Sequence, residues 1–363
     1  MTENPNLFEP CCFGSPETPD LKVEWLWHGY LARGGITLLT SLWKAGKTTL
    51  LSALITKMQS GGLFAGFPLQ ASRVAVVSEE PAQLWHERNP RLAQGTHIRY
   101  YFQPIAGAPS LEQWERLVAS LQRDRERDRI DLAVIDTLGT FLPAGAESQR
   151  DAMLRALAPL QQLAATGASL LLLHHPRKGD PPLGQAARGS GALSGTVDIS
   201  IEMKCLVRPD LNDRRRRLVG FSRFASTPRD MVIELNADRA DYTPRGTPTD
   251  EECRGLWPDL TELLQHSNRK LTRDEILSRW PRPDTKPHET TLWRWLEWGV
   301  AQGRFAKEGD GRRSRPYRYW WAELEVVHGE LEELGDILPD LLRPRKKPRK
   351  ETARSGSSNP YGG

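Results

Sequence analysis

Eight residues, Ser41-Leu42-Trp43-Lys44-Ala45-Gly46-Lys47-Thr48, follow the spacing G-x-x-x-x-G-K-[ST], with serine at the first place. Residues of these types at this spacing cradle phosphate. Backbone N–H groups of the turn, together with the helix start that takes in Thr49, form a nest for anions. Lys47 would reach the outer phosphates, and the Thr48 hydroxyl would ligate Mg²⁺. Gly46 lets the backbone come close, whereas Ser41 calls for a negative or mildly strained φ. The bland alternative is a Gly-Lys-Thr that falls in a surface turn by chance. Against it stand the apolar run Gly35–Leu39 leading in and the helical run Thr48–Ile55 leading out.

Such a turn needs a second acid. Leu132–Ile135 is apolar and ends in Asp136 and Thr137. A carboxylate at the C-terminal end of a buried strand lies beside the phosphate turn of an α/β sheet, where Asp136 would hold Mg²⁺ directly or through water. Its competing role is to cap the next turn. Hydrolysis also needs a group that orients or deprotonates water. Val74–Val77 runs into Ser78-Glu79-Glu80-Pro81, which sets two acids at the same rim. Glu79 is the favoured base and Glu80 the alternative, and either acid would also serve as a solvated loop residue. Leu170–Leu173 runs into His174 and His175. This pair would sense the outer phosphate, or be two satisfied structural histidines; no metal is implied by it.

The elements that position these groups are legible as a series. The runs Ile36–Leu39, Val74–Val77, Leu132–Ile135, Leu170–Leu173 and Ile199–Met203 alternate with helical patterns. Nearly continuous apolar strands belong to a mostly parallel sheet covered on both faces, so residues 21–235 read as an α/β domain. A loose, proline-bearing lead-in occupies 1–20, and a polar link occupies 236–252. A second unit spans 253–321, an acidic helical stretch 322–342, and a basic tail, expected to be disordered, 343–363.

Composition bounds the rest. With 363 residues the chain suits two domains, and 38% hydrophobic with 26% charged residues is ordinary for a globular protein. No apolar run spans a bilayer and no secretion signal is read, so the expectation is a cytoplasmic protein without a membrane partner. Four cysteines without paired spacing fit a reducing compartment. Net charge is only +4, but its distribution is uneven. Arg343–Lys350 holds six basic side chains in eight positions, and Arg304–Arg318 holds six against two acids. Clustered positive charge favours polyanions, although each cluster alone also reads as a solvated surface.

The order of the phosphate turn, the acid pair, Asp136-Thr137 and the His-His pair resembles the RecA-type ATPases. It is most similar to the hexameric plasmid helicases of the RepA type. Trp25–Tyr30, Lys44–Lys47, Val134–Thr137, His174–Gly179 and Arg188–Ala192 carry the likeness, over roughly Val23 to Leu235. It implies a RecA-like P-loop NTPase core, ATP with Mg²⁺, and a homo-oligomeric ring of hexamer type with sites between neighbours. A neighbour's basic finger, often Lys-x-Arg on a late strand, then steadies transition-state charge. In Gly220-Phe221-Ser222-Arg223-Phe224, Arg223 matches the arginine, and Phe221 stands where the lysine would be. The departure puts a two-finger site in doubt. Arg214–Arg217 reads as a hairpin turn, with a solvated role slightly favoured over contact with DNA or a neighbouring subunit.

In the second unit, Thr272 with Glu275 forms a capping box that opens one helix, and Pro287 lies in the first turn of the next. Leu292, Trp295, Leu296 and Gly299 share one face of that second helix. Phe305–Lys307 and Tyr317–Trp320 then flank a basic, glycine-bearing tip, as in a β-hairpin. Helix, helix and hairpin resemble a winged helix, a fold that binds DNA or docks protein. For DNA, Thr290, Thr291 and Arg294 would reach bases, and Lys307, Arg312, Arg313 and Arg315 would contact phosphate. Glu289 and Glu297 weigh toward docking, and the tryptophans, Trp295 and Trp320 above all, read as core.

Two functions stay open at this level. One is an ATP-hydrolysing helicase or DNA-remodelling ATPase of plasmid, phage or other mobile-element replication. The other is an ATP-switched DNA-binding regulator or initiator. A small-molecule kinase lacks a recognisable acceptor pocket and lid.

Overall fold

The computed structural model describes residues 22–89, 95–176, 191–206 and 212–322. The lead-in, the acidic stretch from 323 on, the basic tail, Arg177–Gly179 and Arg188–Ser190 lie outside the described residues. Two compact units divide between Pro248 and Thr249.

In chain order the first unit opens with β1 (Trp25–Trp27), β2 (Leu31–Ala32), β3 (Ile36–Ser41) and α1 (Lys47–Lys57). It continues with β4 (Gly62–Phe64), β5 (Phe67–Leu69), β6 (Val74–Ser78), α2 (Ala82–Arg88) and β7 (Ile98–Phe102). Then come α3 (Leu111–Asp128), β8 (Leu132–Asp136), α4 (Leu138–Phe141), α5 (Arg150–Ala165) and β9 (Ser169–His174). It closes with α6 (Gly191–Thr196), β10 (Ile199–Cys205), β11 (Arg215–Ser222), β12 (Asp230–Leu235) and β13 (Tyr242–Gly246).

Among the described residues, nine strands form one sheet in the order β13-β12-β11-β10-β3-β9-β8-β6-β7. The six from β10 to β7 run parallel, and β11, β12 and β13 extend the sheet antiparallel. All five runs expected as strands are strands of its parallel part. Their apolar continuity has a direct cause, because alternate side chains feed two separate cores. Leu39, Val76, Val134 and Leu171 pack with Leu50, Leu51, Leu54 and Ile55 of α1 on one face. Leu38, Val77, Ile135 and Leu172 pack with Trp114 of α3 and Leu157 of α5 on the other. Burial at this level contributes about 1.5–3 kcal/mol per large aliphatic side chain. The start of α1 is therefore held firmly against the sheet. The mixed α/β core with its large, mostly parallel sheet fits a P-loop NTPase.

The expected polar link at 236–252 differs in the structure. Tyr242–Gly246 is β13, paired with β12, and α7 (Pro248–Gln265) begins inside the same stretch. Tyr242 is buried against the first core, a single anchoring side chain that no apolar run advertises.

The second unit contains α7, β14 (Leu271–Thr272), α8 (Arg273–Ser278), α9 (Glu289–Ala301), β15 (Phe305–Glu308) and β16 (Arg318–Trp321). Its three strands pair in the order β14-β16-β15. The capping box of Thr272 and Glu275 opens α8. Leu292, Trp295, Leu296 and Gly299 are all buried, and Trp257 packs edge-on to Trp298 and stacks on Phe305. Among the described residues, no helix is long and apolar enough to cross a membrane.

Candidate functional site

The phosphate turn leaves the C-terminal end of β3 and enters α1 with Gly46 at φ 99°, a left-handed conformation that a side chain would strain. No side chain caps that helix, so its first N–H groups have no intrahelical or capping partner. Ser41 ends β3 in extended backbone, so it needs no strain. Its hydroxyl also does something glycine would not. Lys47 Nζ donates to the Ser41 carbonyl at 2.9 Å and to Ser41 Oγ at 3.2 Å. Burial pushes the Lys47 ammonium below its usual value, while the Asp136 and Glu79 carboxylates pull it back up.

Asp136 ends β8, separated from β3 by β9 alone. Thr48 Oγ1 donates to Asp136 Oδ2 at 3.1 Å, so the two expected metal ligands are in contact. Burial is the main cause that raises the Asp136 carboxyl from 3.8 to about 6. The Thr48 hydrogen bond and Lys47 act against that rise, and Glu80 and Glu79 reinforce it. A hydroxyl and a carboxylate form the hard oxygen set that Mg²⁺ takes when phosphate oxygens and water complete an octahedron. These residues therefore fit the ion.

The two acids after β6 part ways. The Glu79 backbone N–H donates to the Asp136 carbonyl at 2.9 Å, and its Oε2 accepts from Thr137 at 3.4 Å and from Thr140. That carboxylate lies at the rim beside Lys47 and Asp136. Glu80 is held by Arg88, with an ion pair at 2.8 Å and a hydrogen bond at 3.0 Å, while the Arg88 guanidinium lies over Trp85. Glu79 has neutral partners and Glu80 a cationic one, which favours Glu79 as the base. Together Lys47, Thr48, Glu79, Glu80, Arg88, Asp136 and His175 line one cleft of about 460 Å³, and Trp43, Lys44 and Thr49 line it too. Trp43 is 74% exposed and Leu42 is 42% exposed; Ala45 is buried.

The remaining candidates spread out. His174 is buried with Nε2 3.7 Å from Glu147, and only His175 faces the cleft. Arg223 does not approach its own turn. Ser222 pairs with Ile199 at the start of β10, the opposite edge of the sheet from the turn, and Arg223 meets Asp198 at 3.4 Å there. The arginine run is not a hairpin turn. Arg215–Arg217 open β11 at the edge that carries the turn, and Arg216 Nε donates to the Ala45 carbonyl at 2.6 Å. Arg88 has only the faint signal of a helical position after the acid pair. Arg216 is marked only as one of the Arg214–Arg217 run, with nothing to point it at the phosphate turn.

In the second unit, Arg312, Arg313 and Arg315 are exposed at the β15–β16 tip, and Arg294 is half-buried on α9. Lys307 is engaged, with an ion pair to Glu297 at 2.6 Å and its ammonium over Tyr317. Thr291 is buried, so it is not presented to a partner. Trp320 is half-buried beneath Lys270 and is not a core residue like Trp295.

Residues 8–181 match the family model described as an AAA domain. That match supports an ATPase of the P-loop class. It takes in β1 to β9, hence Lys47, Thr48, Glu79 and Asp136, and stops before β10 and the antiparallel extension β11 to β13. No curated protein matches the chain. Nucleotide binding with Mg²⁺ is what a P-loop core of this kind implies.

Proposed function

We propose that this protein hydrolyses ATP to act on DNA, as a helicase or remodelling ATPase of mobile-element replication. The observation that carries the reading is one rim on which Lys47, Thr48, Asp136 and Glu79 converge. Lys47, now bound to Ser41, exchanges those contacts for phosphate oxygens. Thr48 and Asp136 would hold Mg²⁺, and the ion would supply neutralising charge at the phosphates. Glu79 accepts the proton of the attacking water, and Thr137 and Thr140 orient its carboxylate. Arg88 keeps Glu80 out of that task.

The DNA part of the reading draws support from the exposed arginines at the β15–β16 tip and from a winged-helix-like order of elements in the second unit. Arg223 is proposed to serve a neighbouring copy in a ring, since its own turn lies at the other edge of the sheet. A second reading, an ATP-switched DNA-binding regulator, is favoured by Phe221, which is exposed where a second basic finger would stand.

Glu79→Gln, assayed for ATP turnover and nucleotide binding, tests the hydrolytic site. Turnover should fall by about 100-fold or more with binding retained, whereas Glu80→Gln should cost far less. Equal losses in both variants would remove Glu79 from its role. Turnover stimulated by single-stranded DNA with strand separation supports the motor; slow turnover with site-specific duplex binding supports the regulator.

A further inference from the structure

Arg216 is held by three carbonyl oxygens at once. Its Nε donates to Ala45 at 2.6 Å, and its Nη1 donates to Asp213 at 2.6 Å and to Arg215 at 2.7 Å. Two of these acceptors belong to the approach to β11 and one to the phosphate turn. The planar guanidinium is thus held from two sides, by the turn at Nε and by the chain around the start of β11 at Nη1. It also lies against Gly46, where an added Cβ would meet Arg216 Nε at 3.6 Å and Thr49 at 4.0 Å.

The Ala45 carbonyl and the Gly46 N–H belong to one planar peptide unit. A donor on the carbonyl fixes the plane of that unit. It also polarises the unit, because hydrogen bonds in series strengthen one another, and most strongly when the donor is charged. With its carbonyl held on the β11 side, the unit turns its N–H the other way. Gly46, with its left-handed φ, has little steric preference of its own to hold that orientation.

We propose that Arg216 is a positioning residue of the nucleotide site, one that locks the Ala45–Gly46 peptide so that its N–H meets phosphate. This rests on the nucleotide-binding reading above. The arm also ties the antiparallel extension of the sheet to the turn. A lysine would keep the charge and lose the planar fork.

The test compares the full chain with Arg216→Lys, Arg216→Ala and Arg214→Ala. Arg214 is half exposed and faces Glu234 at 3.6 Å, so its removal controls for net charge. The readouts are the unfolding midpoint with and without MgADP, the MgADP dissociation constant, and KM and kcat for ATP. Arg216→Lys and Arg216→Ala should each raise the dissociation constant by about tenfold or more. KM should rise more than kcat falls, and the nucleotide-free stability should fall by less than the binding free energy lost, with Arg214→Ala at the wild-type value. Should Arg216→Ala fail to fold, Arg216→Lys carries the comparison alone. Wild-type affinity in Arg216→Lys overturns the proposal, and so does an equal loss in Arg214→Ala. A nucleotide-free midpoint that drops in step with binding makes Arg216 a merely structural residue and overturns it too. If the wild type itself gains no stability from MgADP, the nucleotide reading falls and takes this inference with it.

Discussion

Lys47 and Asp136 show how a buried site keeps its charges ready. Each loses hydration, and each recovers part of the cost from the other and from a hydroxyl, Ser41 for the lysine and Thr48 for the aspartate. Burial raises the Asp136 carboxyl from 3.8 to about 6, so between these values the folded chain binds more proton than the unfolded chain. Stability from this group is then present at low pH and is lost as pH climbs through 6. Without nucleotide or metal, Asp136→Asn should gain on the wild type by on the order of 2 kcal/mol as pH rises from 4 to 6.5. Urea midpoints of both proteins across that range measure it, and a difference independent of pH would contradict the raised value.

At the scale of elements, the site is a product of strand order. Because β9 stands between β3 and β8, the turn and Asp136 open on the same rim with room for a ligand. Because β11 runs antiparallel to β10, its first residues come to that rim, and its last residues, with Arg223, go to the other. In the second unit α9 packs closely on β15 at Gly299. An added Cβ at Gly299 would run into the Phe305 ring. Gly299→Ala should therefore cost about 1–3 kcal/mol from forced repacking, outweighing the gain in helix propensity. Chemical denaturation followed by tryptophan fluorescence reads this directly, since Trp257 stacks on Phe305. A stabilised variant would show that the contact is slack.

At the scale of the whole molecule, the two units divide the work proposed here into nucleotide chemistry and polyanion contact. The exposed arginines at the β15–β16 tip make the second part measurable. Replacing Arg312, Arg313 and Arg315 together by alanine should weaken DNA binding and flatten the slope of log affinity against log salt by about 2–3. ATP turnover without DNA should stay as it was. An unchanged slope would mean that the tip does not meet phosphate and would favour a protein-docking role for this unit.

The amino-acid sequence alone determined whatever is local. The phosphate turn, the strand-end acids and the capping box at Thr272 are each written within a few neighbouring residues, and the five strands declare themselves by being apolar on both faces. It also favoured Glu79 as the proposed base with Glu80 as the alternative, and the Arg88 ion pair that sets the two acids apart is a contact that only the fold shows. Tertiary structure decided what depends on strands remote in the chain coming together. Arg216 reaches Ala45 across 171 positions, and Lys307 is withdrawn by Glu297 from another element. Side-chain reach is a few ångströms, so such partners are set by sheet order and register. No local pattern encodes either of these.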